Sequence, residues 1–114
     1  SYKLQVKGQI VNSLGKVTDV TIRLVYSNSI IDTILASNGR YDILLPLENE
    51  ILLEFISVNH YTKRIAFNTH VNGKKKLPFF DLKIKFVFLK VFDSKNGIRE
   101  VVESSDRKLI GLKF

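Results

Sequence analysis

Apolar and polar residues alternate strictly along the first ten residues of the chain. Leu4, Val6 and Ile10 occupy even positions, and lysine or glutamine occupies the odd positions between them. A period of two places successive side chains on opposite faces of an extended strand. The same alternation returns in residues 20–26, 41–45, 62–69 and 80–86. The pattern predicts strands with one face in a core and the other in water.

Turn-forming residues separate these strands at spacings of about 7–12 residues. Turn compositions occur at residues 12–15, 27–29, 37–39, 59–61 and 93–97. Asn38-Gly39 is a strong hairpin signal, because glycine takes the positive φ that a tight hairpin turn requires. Since no 3.6-residue period is present, we predict an all-β protein. Residues 1–114 are expected to form one domain, a single antiparallel β-sandwich of about 7–9 strands.

The buried face of each predicted strand defines a candidate core. Residues 51–58 are apolar on both parities except at Glu54, which favours a central strand covered on both sides. The predicted core positions are Leu4, Val6, Ile10, Val20, Ile22, Leu24, Ile43, Leu53, Phe55, Ile65, Phe67, Leu82, Ile84 and Phe86.

Composition narrows the class of protein. A length of 114 residues with 45% hydrophobic and 25% charged residues is typical of one globular domain. The absence of cysteine excludes disulfides, thiolate metal sites and cysteine nucleophiles. No apolar run approaches the ~20 residues of a spanning helix, so we expect no membrane-spanning segment. Because the chain has no methionine and Ser1-Tyr2 leads directly into a strand, we expect a removed signal peptide.

No group of residues has the spacing of a known catalytic or metal site. His60 and His70 lie at opposite ends of one predicted strand, too far apart to share a metal. Glu48, Glu50 and Glu54 indicate a solvated acidic surface, with calcium binding or acid-catalysed hydrolysis as the alternatives. The sequence contains neither a nucleophile elbow nor a phosphate-binding glycine loop. It therefore predicts no enzyme, no catalytic residue, no metal and no cofactor.

The net charge is +7, and the basic excess lies in residues 58–90. A polar loop with three lysines precedes a strand whose odd positions carry two more, so all five can share one sheet face and its end. These predicted partner-binding residues are Lys74, Lys75, Lys76, Lys83 and Lys85. The alternative is a solvated face that prevents edge-to-edge pairing. A nucleic-acid partner is disfavoured, because Phe80 has the parity of the core and cannot serve as a stacking ring.

Two segments resemble a known family. Residues 8–24 read Gly-Gln-Ile-Val-Asn-Ser-Leu-Gly-Lys-Val-Thr-Asp-Val-Thr-Ile-Arg-Leu, and residues 33–43 read Thr-Ile-Leu-Ala-Ser-Asn-Gly-Arg-Tyr-Asp-Ile. With Leu45-Pro46 after them, they resemble the carboxypeptidase-regulatory-like (prealbumin-like, transthyretin-like) β-sandwich. The glycine of that family's Gly-Tyr turn is replaced by His60. Residues 80–84, Phe-Asp-Leu-Lys-Ile, and 110–114, Ile-Gly-Leu-Lys-Phe, are similar to the end of the form of this module that occurs in exported cell-envelope proteins of the Bacteroidota.

The resemblance implies a non-catalytic module of the periplasm or cell surface. It implies an interaction or structural domain, an accessory subunit of an envelope assembly for secretion, transport or surface display. The expected partner is a protein that docks on an exposed sheet edge or on the lysine face. The alternative is a module that binds an anionic glycan or lipid surface through the basic face. A transthyretin-like hydrolase would need converging polar residues that the sequence does not show.

Overall fold

The computed structural model describes residues 3–70, 80–88, 90–93, 99–102 and 106–111. Every regular element within these ranges is a β-strand, and none is a helix long and apolar enough to cross a membrane. The strands are β1 (Lys3–Asn12), β2 (Gly15–Lys16), β3 (Val20–Tyr26), β4 (Ser29–Ala36), β5 (Arg40–Pro46), β6 (Glu50–Ile56), β7 (Lys63–Asn68), β8 (Phe80–Asp81), β9 (Ile84–Lys85), β10 (Lys90–Asp93), β11 (Arg99–Val102) and β12 (Asp106–Gly111).

These strands form two five-stranded sheets and a separate hairpin of β10 and β11. One sheet is organised around β1, which pairs antiparallel with β2 and β5 and parallel with β8 and β9. The other has the order β12-β7-β6-β3-β4, with β12 parallel to β7, and we call it the larger sheet because its strands contain more residues. The predicted all-β sandwich is confirmed. The parallel pairings of β8, β9 and β12 are additions that the alternation of residues does not reveal.

A single hydrophobic core lies between the two sheets. All the predicted core positions are buried except Leu82, which is half-buried and packs against the cluster. Leu82 lies in the break between β8 and β9, where the chain leaves regular pairing with β1. The core also includes Tyr41, whose ring meets Phe55 edge-on with ring centroids 5.2 Å apart. Because Tyr41 belongs to one sheet and Phe55 to the other, this contact joins the two layers.

The chain passes from β4 to β5 through a turn at Gly39, whose φ is +75°. β4 pairs with β3, whereas β5 pairs with β1 in the other sheet, so the hairpin predicted here is wrong and the turn connects the two layers. The Arg40 N–H donates to the Asn38 side-chain oxygen over 3.1 Å, as is usual where asparagine precedes a tight turn. The predicted positive φ is confirmed. A side chain at this position would also lie against Lys16, whose Cβ is 2.9 Å from the place of a Cβ on Gly39.

We expect Gly39→Val to lower the free energy of unfolding by about 1–3 kcal/mol, because valine is strained at positive φ. Urea denaturation followed by circular dichroism measures this loss. Gly39→Asn is the control: asparagine tolerates the left-handed region, so its remaining loss reports the contact with Lys16. A Gly39→Val variant within about 0.5 kcal/mol of the parent would contradict the strain.

Candidate interaction surfaces

Lys83 and Lys85 lie on the segment that runs beside β1, and both are exposed. Ile84 and Phe86, which alternate with them, are buried. The two lysines thus point outward, as their parity in the sequence indicates. Lys74, Lys75 and Lys76 lie outside the described residues. A role for any of the five in partner binding stays a prediction.

Two cations from distant parts of the chain join these lysines on the outer face of the sheet. Val11 of β1 is flanked by Lys16 on β2 and Lys85 on β9, and Gln9 pairs with Arg40 on β5. Among the described residues, no carboxylate forms an ion pair with any cation of this group. We call the group the cationic cluster: Lys16, Arg40, Lys83 and Lys85. No sequence pattern indicates Lys16 and Arg40, because only the pairing of β2, β5 and β9 with β1 brings them together.

The acidic residues of this sheet lie further along β1. Lys7 is flanked by Asp42 on β5 and Asp81 on β8, beside a pocket of about 440 Å³. Tyr41 lines the pocket and donates its hydroxyl to the Leu82 carbonyl oxygen. Burial, and to a lesser degree the negative charge of Asp81, raises the pKa of Tyr41 well above its ordinary value. No group of three metal-ligating side chains occurs in the part of the chain that the structure describes.

His60 links the turns after β1 and β6 to the segment after β9, at the end of the sandwich near Val11. Its Nδ1 is 2.8 Å from the Val58 carbonyl oxygen, and its Nε2 is 3.0 Å from Asn12 Nδ2. Because a carbonyl only accepts, Nδ1 carries the proton, and Nε2 accepts from Asn12. The Asn12 Oδ1 in turn accepts the Leu14 N–H over 2.8 Å. His60 is thus a satisfied structural residue, whose hydrogen bonds hold the turns after β1 and β6 together.

Large apolar side chains are exposed around this histidine. The His60 ring stacks on Phe88, with centroids 4.6 Å apart and an interplanar angle of 28°, and also contacts Phe86. Leu14 is 86% exposed and Val58 77% exposed, although both are aliphatic. We call this group the apolar tip: Leu14, Val58, Val87 and Phe88. Its members come from the turns after β1 and β6 and from residues 87–88 after β9, and the His60 contacts hold these segments in place.

Two of the glutamates predicted to form one acidic surface contact different residues. Glu48 Oε2 is 2.9 Å from His70 Nδ1, and both side chains are exposed. Glu54 on β6 forms a 2.8 Å ion pair with Arg64 on the adjacent strand β7. His70 is far from Glu48 in sequence, so no local pattern could have revealed the pair. The two carboxylates therefore do not form one site.

Strand β4 forms an edge of the larger sheet. Among the described strands it pairs only with β3, and three of its large apolar side chains are exposed: Ile30, Ile31 and Leu35. Asp32 lies opposite Leu24 and Ile30 opposite Val25, so Ile31 is the extra residue of a β-bulge. The Asp32 carboxylate accepts the Thr33 N–H over 2.8 Å. The edge is long, mostly apolar and interrupted near its middle.

Comparison with known proteins gives a structural likeness only. The chain matches no protein-family model and no curated protein. Among solved structures it is similar to catechol 1,2-dioxygenase from Pseudomonas arvilla C-1, with 13% sequence identity and a TM-score of 0.42. The match covers 96% of this chain and 52% of that one, so the chain spans about half the length of the enzyme.

This finding corrects the expectation that the chain is not an enzyme. The expectation was wrong to exclude enzymes as a class. A solved structure that the chain resembles is that of an enzyme, and one fold supports many unrelated activities. The missing sequence motifs and the sandwich fold therefore do not exclude catalysis. At this identity and TM-score the likeness assigns no reaction, substrate or metal to the chain.

Proposed function

We propose that this chain is a protein-interaction domain of a bacterial cell-envelope assembly and binds an extended segment of a partner protein along β4. The observation that supports it is the edge of β4 that no other described strand covers, which carries three exposed large apolar side chains over eight residues. An edge strand offers unpaired N–H and C=O groups to a second strand, and its side chains give the selectivity.

The bulge and Asp32 favour a selective partner over uncontrolled self-pairing. Edge strands of stable proteins commonly carry a bulge or a charge that prevents pairing with identical copies. In β4 the Asp32 carboxylate already accepts the hydrogen bond of the Thr33 N–H. A partner strand would have to replace this carboxylate with a backbone carbonyl and cover Leu35. We expect the partner segment to be apolar opposite Leu35 and free of acidic residues opposite Asp32.

The envelope setting is part of the same proposal. Its support is the resemblance of residues 8–24 and 33–43 to the carboxypeptidase-regulatory-like module of exported Bacteroidota proteins. We propose that the domain is exported to the periplasm or cell surface and acts there as an accessory subunit for secretion, transport or surface display. Fractionation of the native bacterium, with protease accessibility of intact cells, tests the location separately from the binding edge.

The binding edge is tested by site-specific photo-crosslinking in the native envelope. A photo-reactive amino acid replaces Leu35 on β4 or, as the control, Leu44 on β5, an exposed leucine on an edge of the other sheet. We expect one protein to be crosslinked from position 35 and not from position 44. The purified partner should then bind the Leu35→Lys variant at least about tenfold more weakly than the parent, and Leu44→Lys within about twofold.

Equal crosslinking from both positions, or none from position 35, would contradict binding along β4. Equal affinity of the Leu35→Lys variant and the parent for the crosslinked protein would contradict it as well. Thermal unfolding of both variants checks that the sandwich is intact. Both substitutions are at exposed positions, where changes in stability of about 0.5 kcal/mol or less are usual.

A further inference from the structure

The cationic cluster and the apolar tip occupy the same end of the molecule. The chain passes from Lys85 on β9 directly to Val87 and Phe88, and the Phe86 N–H donates to the Val11 carbonyl over 2.7 Å. Lys16 lies two residues after Leu14 and pairs with Val11 from the opposite side. Cations and exposed apolar side chains are thus interleaved on two segments that flank the end of β1.

We propose that this end of the domain binds an anionic lipid surface. The apolar tip would enter the headgroup region, and the cationic cluster would contact lipid phosphates. Lysine and arginine near an anionic bilayer are attracted to its surface potential, and apolar side chains that reach the acyl boundary add to the affinity. The surface is separate from β4, so a membrane-bound domain keeps its edge strand available for a protein.

The shape of the apolar tip favours a lipid surface over a protein groove. Leu14 and Val58 project from different turns and are 86% and 77% exposed. Isolated protrusions enter a fluid headgroup layer without a matching surface, whereas a protein partner would need a pocket for each. The hydrogen bonds of His60 to Asn12 and Val58 fix the turns, so little conformational freedom is lost on binding.

The positive charges at this end favour an anionic lipid surface, and the packing of the Phe88 ring disfavours nucleic acid. The four cations have no ionic partner among the described residues, so they are available to phosphates. Asp19, whose carbonyl accepts the Ser57 hydroxyl next to Val58, opposes binding here. Asp42 and Asp81, which line a pocket together with Arg40, oppose it as well. One face of the Phe88 ring is covered by His60, which leaves less aromatic surface for stacking on bases.

Vesicle flotation with the intact chain tests the proposal. The probes are vesicles of phosphatidylcholine alone and vesicles that also contain phosphatidylglycerol. We expect binding to the anionic vesicles at least about tenfold stronger than to the neutral ones, and weaker binding as salt is raised. Lys83→Glu with Lys85→Glu should abolish this preference. Lys3→Glu, at the opposite end of β1, is the matched control for Lys85→Glu alone, because it makes the same change in net charge and should retain most of the binding.

The apolar contribution has its own pair of variants. Leu14→Ser with Val87→Ser should remove the binding that survives at high salt, whereas Leu44→Ser, an exposed leucine elsewhere on the sheet, should not. Asp19→Lys should strengthen binding. Thermal unfolding of every variant confirms that each is folded before it is compared.

Three results would overturn the inference. The first is no binding to either kind of vesicle. The second is an equal loss of vesicle binding in Lys85→Glu and Lys3→Glu, which would mean that net charge alone attracts the protein. The third is that replacing Leu14 and Val87 leaves vesicle binding unchanged but abolishes binding of the crosslinked protein, which would assign the apolar tip to protein contact. The first two results are obtained without the protein partner found from position 35, so failure here is distinguishable from failure of the β4 proposal.

Discussion

Replacing Phe55 by alanine is expected to lower the free energy of unfolding by about 3–5 kcal/mol. Phe55 is fully buried in β6, which lies between β3 and β7 in the larger sheet. Its ring meets Tyr41 of the opposite sheet edge-on. The substitution removes apolar area, leaves a cavity between the layers and deletes an aromatic contact. For a small domain this is a large part of the usual total of about 5–15 kcal/mol.

Urea denaturation monitored by circular dichroism measures this change. Ile56→Ala is the matched control on the same strand, because Ile56 points to the outer face and is only half-buried. We expect its loss to be clearly smaller than that of Phe55→Ala. A loss of less than about 1 kcal/mol for Phe55→Ala would mean that the core collapses around the missing ring or that the two sheets do not depend on it.

The core could be predicted because five strands each bury one face against the opposite sheet: β1, β3, β5, β6 and β7. In β1 the strict alternation assigns Leu4, Val6 and Ile10 to the inside, and all three are buried. Tyr26 shows the limit of this reasoning. It has the inward parity of Leu24 but is exposed, because it is the last residue of β3 before the turn to β4. Period alone does not show where a strand passes beyond the core.

The path of residues 80–88 could not be predicted from the alternation. The pattern there indicates one continuous strand, but the structure has two short strands separated by Leu82 and Lys83, both parallel to β1. Parallel pairing depends on contacts with a segment about seventy residues away, which leave no local periodicity. The cationic cluster depends on this pairing, so the sequence identified Lys83 and Lys85 but could not place them beside Lys16 and Arg40.

The hydrogen bonds of the histidines were hidden for a similar reason. His60 is held by Asn12 and Val58, and His70 by Glu48. Asn12 and Glu48 are each more than twenty residues from the histidine they contact. The sequence correctly placed the two histidines beyond opposite ends of one strand, β7, but the role of His60 in joining separate turns follows from the fold alone. The apolar tip likewise combines residues from two turns and from the segment after β9.

Gly8→Ala is expected to destabilise the domain by about 3 kcal/mol, against the trend for its position in a strand. Alanine is normally favoured over glycine inside a strand by about 0.5–1 kcal/mol. A Cβ at Gly8, however, would overlap the Leu82 carbonyl oxygen and lie 2.7 Å from the carbonyl carbon. Both are backbone atoms, so no side-chain rotation relieves the overlap, and overpacking commonly costs about 1–3 kcal/mol, occasionally more. The sign of the change therefore distinguishes the close packing from ordinary strand propensity.

The overlap should displace residues 81–86, the segment that packs on Gly8 through Leu82. Leu82 donates its N–H to the Lys7 carbonyl over 2.8 Å and accepts the Tyr41 hydroxyl, so moving it breaks two hydrogen bonds. We expect urea denaturation of Gly8→Ala to show the loss, and hydrogen exchange to show lost protection at the Leu82 and Phe86 amides. Amides of β3 and β6 should keep their protection, and Gln9→Ala, at an exposed neighbouring position, should change little. Binding to anionic vesicles should weaken, because the displaced segment carries Lys83 and Lys85. A gain in stability of about 0.5–1 kcal/mol would show that the segment does not pack on Gly8.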